Sequence, residues 1–326
     1  MSGASKNSVT WKEIDENAAE QRIDNFLVKT LKGVPRSHIY RLLRNGEVRV
    51  NSGRVAPTYR LQSGDRLRIP PVRVAQSKQS TTTAGARFKA AVIFEDDYLL
   101  VLAKPAGIAV HGGSGISRGV IEQIRLLRPE LKFIELAHRL DRETSGLLLL
   151  AKKRAALLGL HAALREGNVE KRYLALTSGV WRNARQNVRL PLKRYLTARN
   201  ERRVAVGEDG QTTHTVFTLE RSWHDFSLLN AELKTGRTHQ IRVHLSHLGF
   251  PIAGDDKYGN FALNRQLAKR GLKRMFLHAA SLVVEHPVTG ALLDLNAPLP
   301  EELASFLQTL DDRRQSPANL REIEKI

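Results

Sequence analysis

The sequence predicts an α+β protein in two parts. The larger part is a domain built on a mixed, mostly antiparallel sheet flanked by helices. The smaller is a basic N-terminal α/β module. Three observations carry this expectation. The stretch QSKQSTTTAGAR, residues 76–87, is polar and free of large apolar side chains, so it cannot bury enough surface to offset the entropy of ordering. It reads as a flexible linker between a module at 20–75 and a domain at 88–326. Beyond it, strand-like segments cluster in meanders with helices between them, which is neither βαβ alternation nor an all-β pattern. Finally, 326 residues with 41% hydrophobic side chains supply ample core for one large and one small domain.

In the small module, RIDNFLVKTL sets Ile23, Phe26, Leu27 and Leu31 at helical spacing. PRSHIYRLLRNG predicts a second helix, with Ile39, Leu42 and Leu43 inward and Gly46 after its end. Arg36, Arg41 and Arg44 fall largely off that apolar stripe. EVRVN and DRLRIP alternate apolar and basic residues, as short half-buried strands do. Residues 22–73 hold 12 Lys/Arg against 3 Asp/Glu, a surplus of +9. Basic side chains from a helix face and strand edges on one surface make a phosphate-binding footprint.

In the large part, YLLVLAKP reads as a buried strand stopped by Pro105, and AGIAVHGGSG as a loop with four glycines. SGLLLLA is a strand. RAALLGLHAALREG is a helix with Leu157, Leu160 and Leu164 on one face and Gly167 at its end. KRYLALTSG is a strand, and THTVFTLERS with DFSLLNAELKTG a hairpin. THQIRVHLSHLG predicts a helix capped by Thr238, carrying Ile241, Leu245 and Leu248 inward, and ended by Gly249 and Pro251.

Charge narrows the function. The chain holds 52 Lys+Arg against 33 Asp+Glu, a net +19, which points to a polyanionic partner. Without cysteine there are no disulfides or thiolate metal sites, a composition that fits a reducing cytoplasm. MSGASKNSVTWKEIDE lacks the apolar core of a signal peptide, and no apolar run approaches about 18 residues, so no membrane span is expected. HGGSGISRG has glycines but no following Gly-Lys-Ser/Thr, which excludes a phosphate loop. Ser145 in TSG lacks the glycine pattern of a nucleophile elbow. His239, His244 and His247 lie within nine residues, yet no glutamate accompanies them, so no metal site is expected.

What remains is Asp141 in AHRLDRETSGLLLLAK, a carboxylate between two arginines, one short turn ahead of a strand. A surface ion pair with Arg139 or Arg142 would be the bland reading. A residue at a loop–strand junction can, however, be aimed rigidly into a cleft. KTGRTHQIR, at another junction, can supply a cation, and a cation beside a carboxylate favours its ionised form. Such an aspartate can act as a nucleophile toward an RNA nucleoside.

QRIDNFL, SHIYRLLRNGEVRVN and LQSGDRLRIP resemble the ribosomal-protein-S4-like RNA-binding domain, which implies binding to structured RNA. AHRLDRETSGLLLLAK resembles the signature of the RluA-type pseudouridine synthases. KPAGIAVHGG, KRYLAL, KTGRTHQIRVHLSHLG, PIAGDDKYG and LHAASLVVEHPVTG stand in that family's order along the whole large part. The resemblance implies the pseudouridine synthase fold and the conversion of uridine to pseudouridine. It places Asp141 as the catalytic aspartate, Tyr173 as the tyrosine packing on the target uracil and Arg237 as the arginine pairing with the aspartate. Arg139 would help displace the base, and Ile241 would line the pocket. His138, in the same signature, is a further substrate-contacting candidate, and Arg36, Arg41 and Arg44 are the candidates in the small module. The resemblance leaves open whether Asp141 attacks C1′ or C6, or takes a sugar proton. Expected besides are a large-subunit (23S) ribosomal RNA or pre-ribosomal particle as partner, no cofactor, a cytoplasmic location and a monomer. A non-catalytic ribosome-assembly factor on the same fold is the competing class. A metal-dependent nuclease would need a carboxylate cluster that the sequence lacks.

Overall fold

The computed structural model describes residues 8–31, 33–72, 90–112, 118–198 and 201–315. The chain divides into two compact units, residues 1–87 and 88–326. The linker expected at 76–87 and part of the glycine loop after Val110 lie outside the described residues.

The first unit contains β1 (Thr10–Glu13), α1 (Ile23–Thr30), α2 (Arg36–Arg44), β2 (Arg49–Val50) and β3 (Arg66–Ile69). Its sheet runs β1-β3-β2, with both pairings antiparallel. The unit therefore starts before residue 20: TWKE pairs along the whole of β3, and Ile14 after it is buried. Four exposed residues with no apolar alternation hid this edge strand from the sequence pattern. The helices pack as their spacing predicts. Ile23, Phe26, Leu27, Ile39, Leu42 and Leu43 share one core with Leu67 and Ile69 of β3. Asp24 is a buried acid, held by Arg22 Nη2 at 2.7 Å and the Tyr40 hydroxyl at 2.7 Å. Its pKa lies below the ordinary range, foremost because of Arg22.

The second unit opens with β4 (Ala91–Glu95), β5 (Leu99–Lys104), α3 (Val120–Leu127), β6 (Glu135–Leu136), β7 (Ser145–Ala151) and α4 (Arg154–Glu166). Next come β8 (Val169–Ser178), β9 (Arg185–Val188), β10 (Leu192–Leu196), β11 (Arg202–Val206), β12 (Thr215–Ser222) and β13 (Phe226–Leu233). It closes with α5 (Gln240–His247), α6 (Phe261–Lys269), β14 (Leu277–Glu285), β15 (Leu292–Asn296) and α7 (Glu301–Gln315). One sheet runs β4-β5-β7-β14-β8-β13-β12-β9, with β15 added to β14 and β6 to β7. Among the described strands, only the β7–β14 pair is parallel. The strands β10 and β11 form a separate antiparallel hairpin.

The leucine run of β7 explains itself in this sheet. Successive side chains of a strand point to opposite faces. Leu148 and Leu150 enter a core with Val120, Ile121 and Ile124 of α3. Leu147 and Leu149 enter another with Ala156, Leu157 and Leu160 of α4. A strand covered on both faces reads as a continuous apolar run. This doubly buried strand fixes the loop that precedes it, and Asp141 is on that loop.

Helix α5 departs from expectation at its start. His239, not Thr238, is the cap residue, with φ +56 in the left-handed region and no capping side chain. Thr238 Oγ1 instead accepts from Arg194 Nη2 at 3.0 Å. The buried Gln240 amide braces the loop. Its Oε1 accepts from the Arg237 backbone N–H at 3.0 Å and the Thr235 hydroxyl at 2.8 Å. Its Nε2 donates to His214 O and Thr215 Oγ1.

Gly146 is where β7 meets β14. It has φ +110, and a Cβ there would lie 2.2 Å from Ala279 O. Gly146→Ala should therefore destabilise the fold by at least about 2 kcal/mol, from strain plus a clash with backbone that cannot give way. Urea unfolding of the purified variant beside wild type reads the loss.

Candidate active site

The site is assembled from three segments distant in sequence: the turn before β7, strand β8, and the loop entering α5. They line a cavity of about 680 Å³.

The turn is held from behind. Thr144 N–H donates to Asp141 O at 3.2 Å. Arg142 O accepts from Gly107 N–H at 2.8 Å and from Lys104 Nζ at 3.1 Å. The buried Lys104 ammonium also donates to Pro105 O and Ile108 O, both at 2.8 Å. Burial pulls the Lys104 pKa down to about 7, while three carbonyls match the three donors of its charged form. Arg274 Nη2 donates to Ser145 Oγ at 2.8 Å and Glu143 O at 3.4 Å. Consecutive carbonyls of the loop are thus gripped by the buried Lys104 and the partly buried Arg274.

Asp141 meets Arg242. Arg242 Nη1 donates to Asp141 Oδ2 at 3.2 Å. The same guanidinium is bidentate to Asp255, with Nε at 2.8 Å and Nη2 at 2.7 Å, and reaches Asp256 at 3.4 Å. It also lies 5.1 Å from the Tyr258 ring centroid. The Arg242 side chain is 4% exposed, whereas Asp141 keeps 21%; the acid faces the cavity and the cation lies behind it. Burial works against the Arg242 charge, but Asp255 and then Asp141 hold its pKa above the ordinary value. Burial likewise opposes ionisation of Asp255. The Arg242 contacts and the N–H groups of Lys257 and Tyr258 overcome it and leave that pKa lowered.

His239 flanks the acid, with Nε2 3.7 Å from Asp141 Oδ2 and Nδ1 2.8 Å from the Tyr258 hydroxyl. The hydroxyl oxygen also accepts from Val204 N–H at 3.0 Å. Burial lowers the His239 pKa against the pull of Asp141. Tyr173 is 8% exposed and lines the cavity. Burial, then the Asp141 charge, pushes its phenol pKa up, so it stays neutral. Ile241, Leu233 and Leu277 add apolar wall.

The structure thus brings Asp141, Tyr173 and Ile241 together and corrects the assignment of Arg237. Arg237 lines the cavity but makes no ion pair with Asp141 among the described residues. It precedes the left-handed turn at His239, whereas Arg242 lies in the first turn of α5 behind the acid. Arg242 sits in a helix whose residues 240–245 are all buried, and a buried cation needs acids, which Asp255 and Asp256 supply. Arg139 is exposed at the cavity edge. His138 accepts the Leu149 N–H on Nε2 at 3.1 Å. Burial and the Lys171 charge pull its pKa down to about 4, so it is a neutral brace as well as a cavity wall. Arg36, Arg41 and Arg44 are exposed on α2, opposite its buried stripe. Among the described residues no three His, Cys, Asp or Glu cluster as a metal site. His244 instead shares a 2.7 Å hydrogen bond with Thr213.

Residues 98–247 match the RNA pseudouridylate synthase family and residues 21–67 match the S4 domain. A Pasteurella multocida (strain Pm70) protein named ribosomal large subunit pseudouridine synthase C is 50% identical over 307 residues, which is 93% of this chain and 94% of that protein. The chain belongs to the RNA pseudouridylate synthase family. A Yersinia pestis protein of the same name is 51% identical over 301 residues, 91% of this chain and 94% of that one. Among solved structures, Human RNA Pseudouridylate Synthase Domain Containing 1 superposes with a TM-score of 0.56 at 26% identity, covering 72% of this chain and 99% of that chain. The chain is thus an isomerase of the pseudouridine synthase fold carrying an S4 RNA-binding domain.

The two arginines can be separated by kinetics. Arg242→Lys keeps a charge but loses the fork that holds Asp255 and Asp141 at once. Its single-turnover rate should fall at least about 100-fold, since breaking one partner of a buried pair costs several kcal/mol. Arg237→Met leaves that pair standing, so its rate at saturating enzyme should fall much less. Rapid-quench rates on one RNA compare the two.

Proposed function

We propose that the chain isomerises specific uridines of large-subunit ribosomal RNA to pseudouridine, with Asp141 as nucleophile. One observation carries the assignment: a partly exposed carboxylate faces a cavity, aimed by a fully buried arginine that is itself anchored on a second acid. The competing assembly factor would have no use for that buried charge array, whose desolvation is costly.

The chemistry follows from the groups present. The N1–C1′ bond of the target uridine breaks and the uracil turns. C5 then bonds to C1′; the C5 proton leaves and N1 gains one. There is no net redox change, so no cofactor is called for. An internal base must first leave its stack, at a cost of a few kcal/mol. The neutral Tyr173 phenol and the aliphatic Ile241 offer a surface for the displaced uracil. Arg139, exposed at the cavity edge, would help displace the base. Arg36, Arg41 and Arg44 would grip phosphates of the same RNA. The large-subunit substrate, free or in a pre-ribosomal particle, is supported by the names of relatives aligned over more than nine-tenths of the chain. A monomer in the cytoplasm is the setting we infer, in keeping with a chain that has no cysteine and no described helix able to cross a membrane.

Asp141→Asn keeps shape and removes the nucleophile. It should abolish tritium release from 5-tritiated uridine RNA while RNA affinity stays within a few-fold; substantial release would refute the assignment. Mapping pseudouridines in ribosomal RNA from a strain lacking the protein identifies the sites.

The small module is tested by salt. Replacing Arg36, Arg41 and Arg44 together by Ala should flatten the slope of log affinity against log salt by about 2 to 3, at 0.7 to 0.9 per phosphate contact. Filter binding across a salt series measures it.

A further inference from the structure

Lys171 is a buried cation with no acid beside it. It lies on β8 two residues before Tyr173, so both side chains leave the same face of the strand, and both line the cavity. Lys171 is only 9% exposed, and among the described residues it has no ion-pair or hydrogen-bond partner for its ammonium. Its sequence neighbours Glu170 and Glu166 are bonded to Arg172 and Asn168. The neighbouring His138 ring is neutral. Lys171 also stands apart from the reacting carboxylate. Burial alone lowers its pKa, with no contribution from Asp141, whereas Tyr173 does feel that charge.

Two more cations share this part of the cavity. Arg165 comes from α4, and Arg139 from the residue pair before Asp141. Both are exposed and make no ion pair among the described residues. A cation on a stem this largely buried, without a counter-charge, is costly. The arrangement becomes favourable when a ligand brings the missing negative charge. A uracil carbonyl would use one donor and carries no charge to offset three cations. A phosphodiester answers all three, because Arg binds phosphate by its fork and Lys as a point charge.

We propose that Arg139, Arg165 and Lys171 form a phosphate-binding site on the α4 side of the cavity, which holds a phosphodiester flanking the target uridine. Lys171 grips it from inside and the two arginines from the rim. The site rests on the RNA-modifying reading above. It fixes the sugar–phosphate strand on one side of the flipped nucleotide, so that the base and not the backbone moves during isomerisation.

The test uses the full-length protein and a ribosomal RNA fragment in which wild type forms pseudouridine. Two further copies of that RNA carry a neutral methylphosphonate, one at the phosphate 5′ and one at the phosphate 3′ of the target. Lys171→Met should weaken binding by about tenfold, the worth of one charge-assisted contact. Its salt slope should be shallower by about 0.7 to 0.9. One of the two methylphosphonate RNAs should weaken wild type by a similar factor and Lys171→Met no further, and Lys171→Arg should restore part of the loss. Removing an unpaired buried charge should leave the melting temperature equal or higher, which separates a lost contact from a damaged fold. An unchanged salt slope, or losses that add fully with both modified RNAs, would overturn the phosphate site while wild-type turnover still stands. A wild type that forms no pseudouridine in any ribosomal RNA would remove the underlying reading, and the site with it.

Discussion

The structure turns on one buried guanidinium. Arg242 joins Asp141 in front to Asp255 behind, the first 101 residues from it in sequence and the second 13. None of the three charges is tolerable alone in that position. Removing Asp255 would leave a cation with 4% exposure facing two acids that are both partly solvated, Asp141 and Asp256. The bidentate geometry matters as much as the charge. With Nε and Nη2 spent on Asp255, only Nη1 points forward, and it points at one oxygen of Asp141. A lysine could not aim that way.

The fold supplies the stiffness this geometry needs. Strand β7 is buried on both faces, so the turn before it cannot drift without dislodging leucines from two cores. Lys104 and Arg274 clasp the carbonyls of that turn, and Gln240 clasps the loop from which α5 starts. A carboxylate held on two such supports is oriented before substrate arrives, which is where preorganised sites gain their rate. The left-handed backbone at His239 fits the same economy. The turn there carries an imidazole to within 3.7 Å of Asp141, and Tyr258 fixes which ring nitrogen faces it.

Charge is divided between display and concealment. Most of the +19 surplus is solvent-facing, as on α2, where three arginines stand off the apolar stripe. Exposed cations of that kind give affinity that salt weakens. The concealed cations, Lys104, Arg242 and Arg274, are instead satisfied by carbonyls and acids inside the protein. Lys171 belongs to neither group: its stem is mostly buried, yet no acid or carbonyl among the described residues pairs with its ammonium.

By itself the sequence determined the class of the fold, both helices of the small module, the leucine strand, helix α4, the β12–β13 hairpin and the place of Asp141 just ahead of a strand. Those features are local. They follow from periodicity of 2 or 3.6, from glycines at helix ends, and from short ordered motifs. The missed strand Thr10–Glu13 is an exposed edge without alternation, so nothing local marked it. The choice between Arg237 and Arg242 was beyond spacing for a different reason. Both arginines lie in one short motif, and which of them faces Asp141 depends on the left-handed turn at His239 and on Asp255. Neither Lys104 nor Arg274 could be tied to the turn that carries Asp141 before β5, β7 and β14 were known to be neighbours. Tertiary structure decided these points because a buried charge is placed by its partners, and partners a hundred residues away leave no period in the chain.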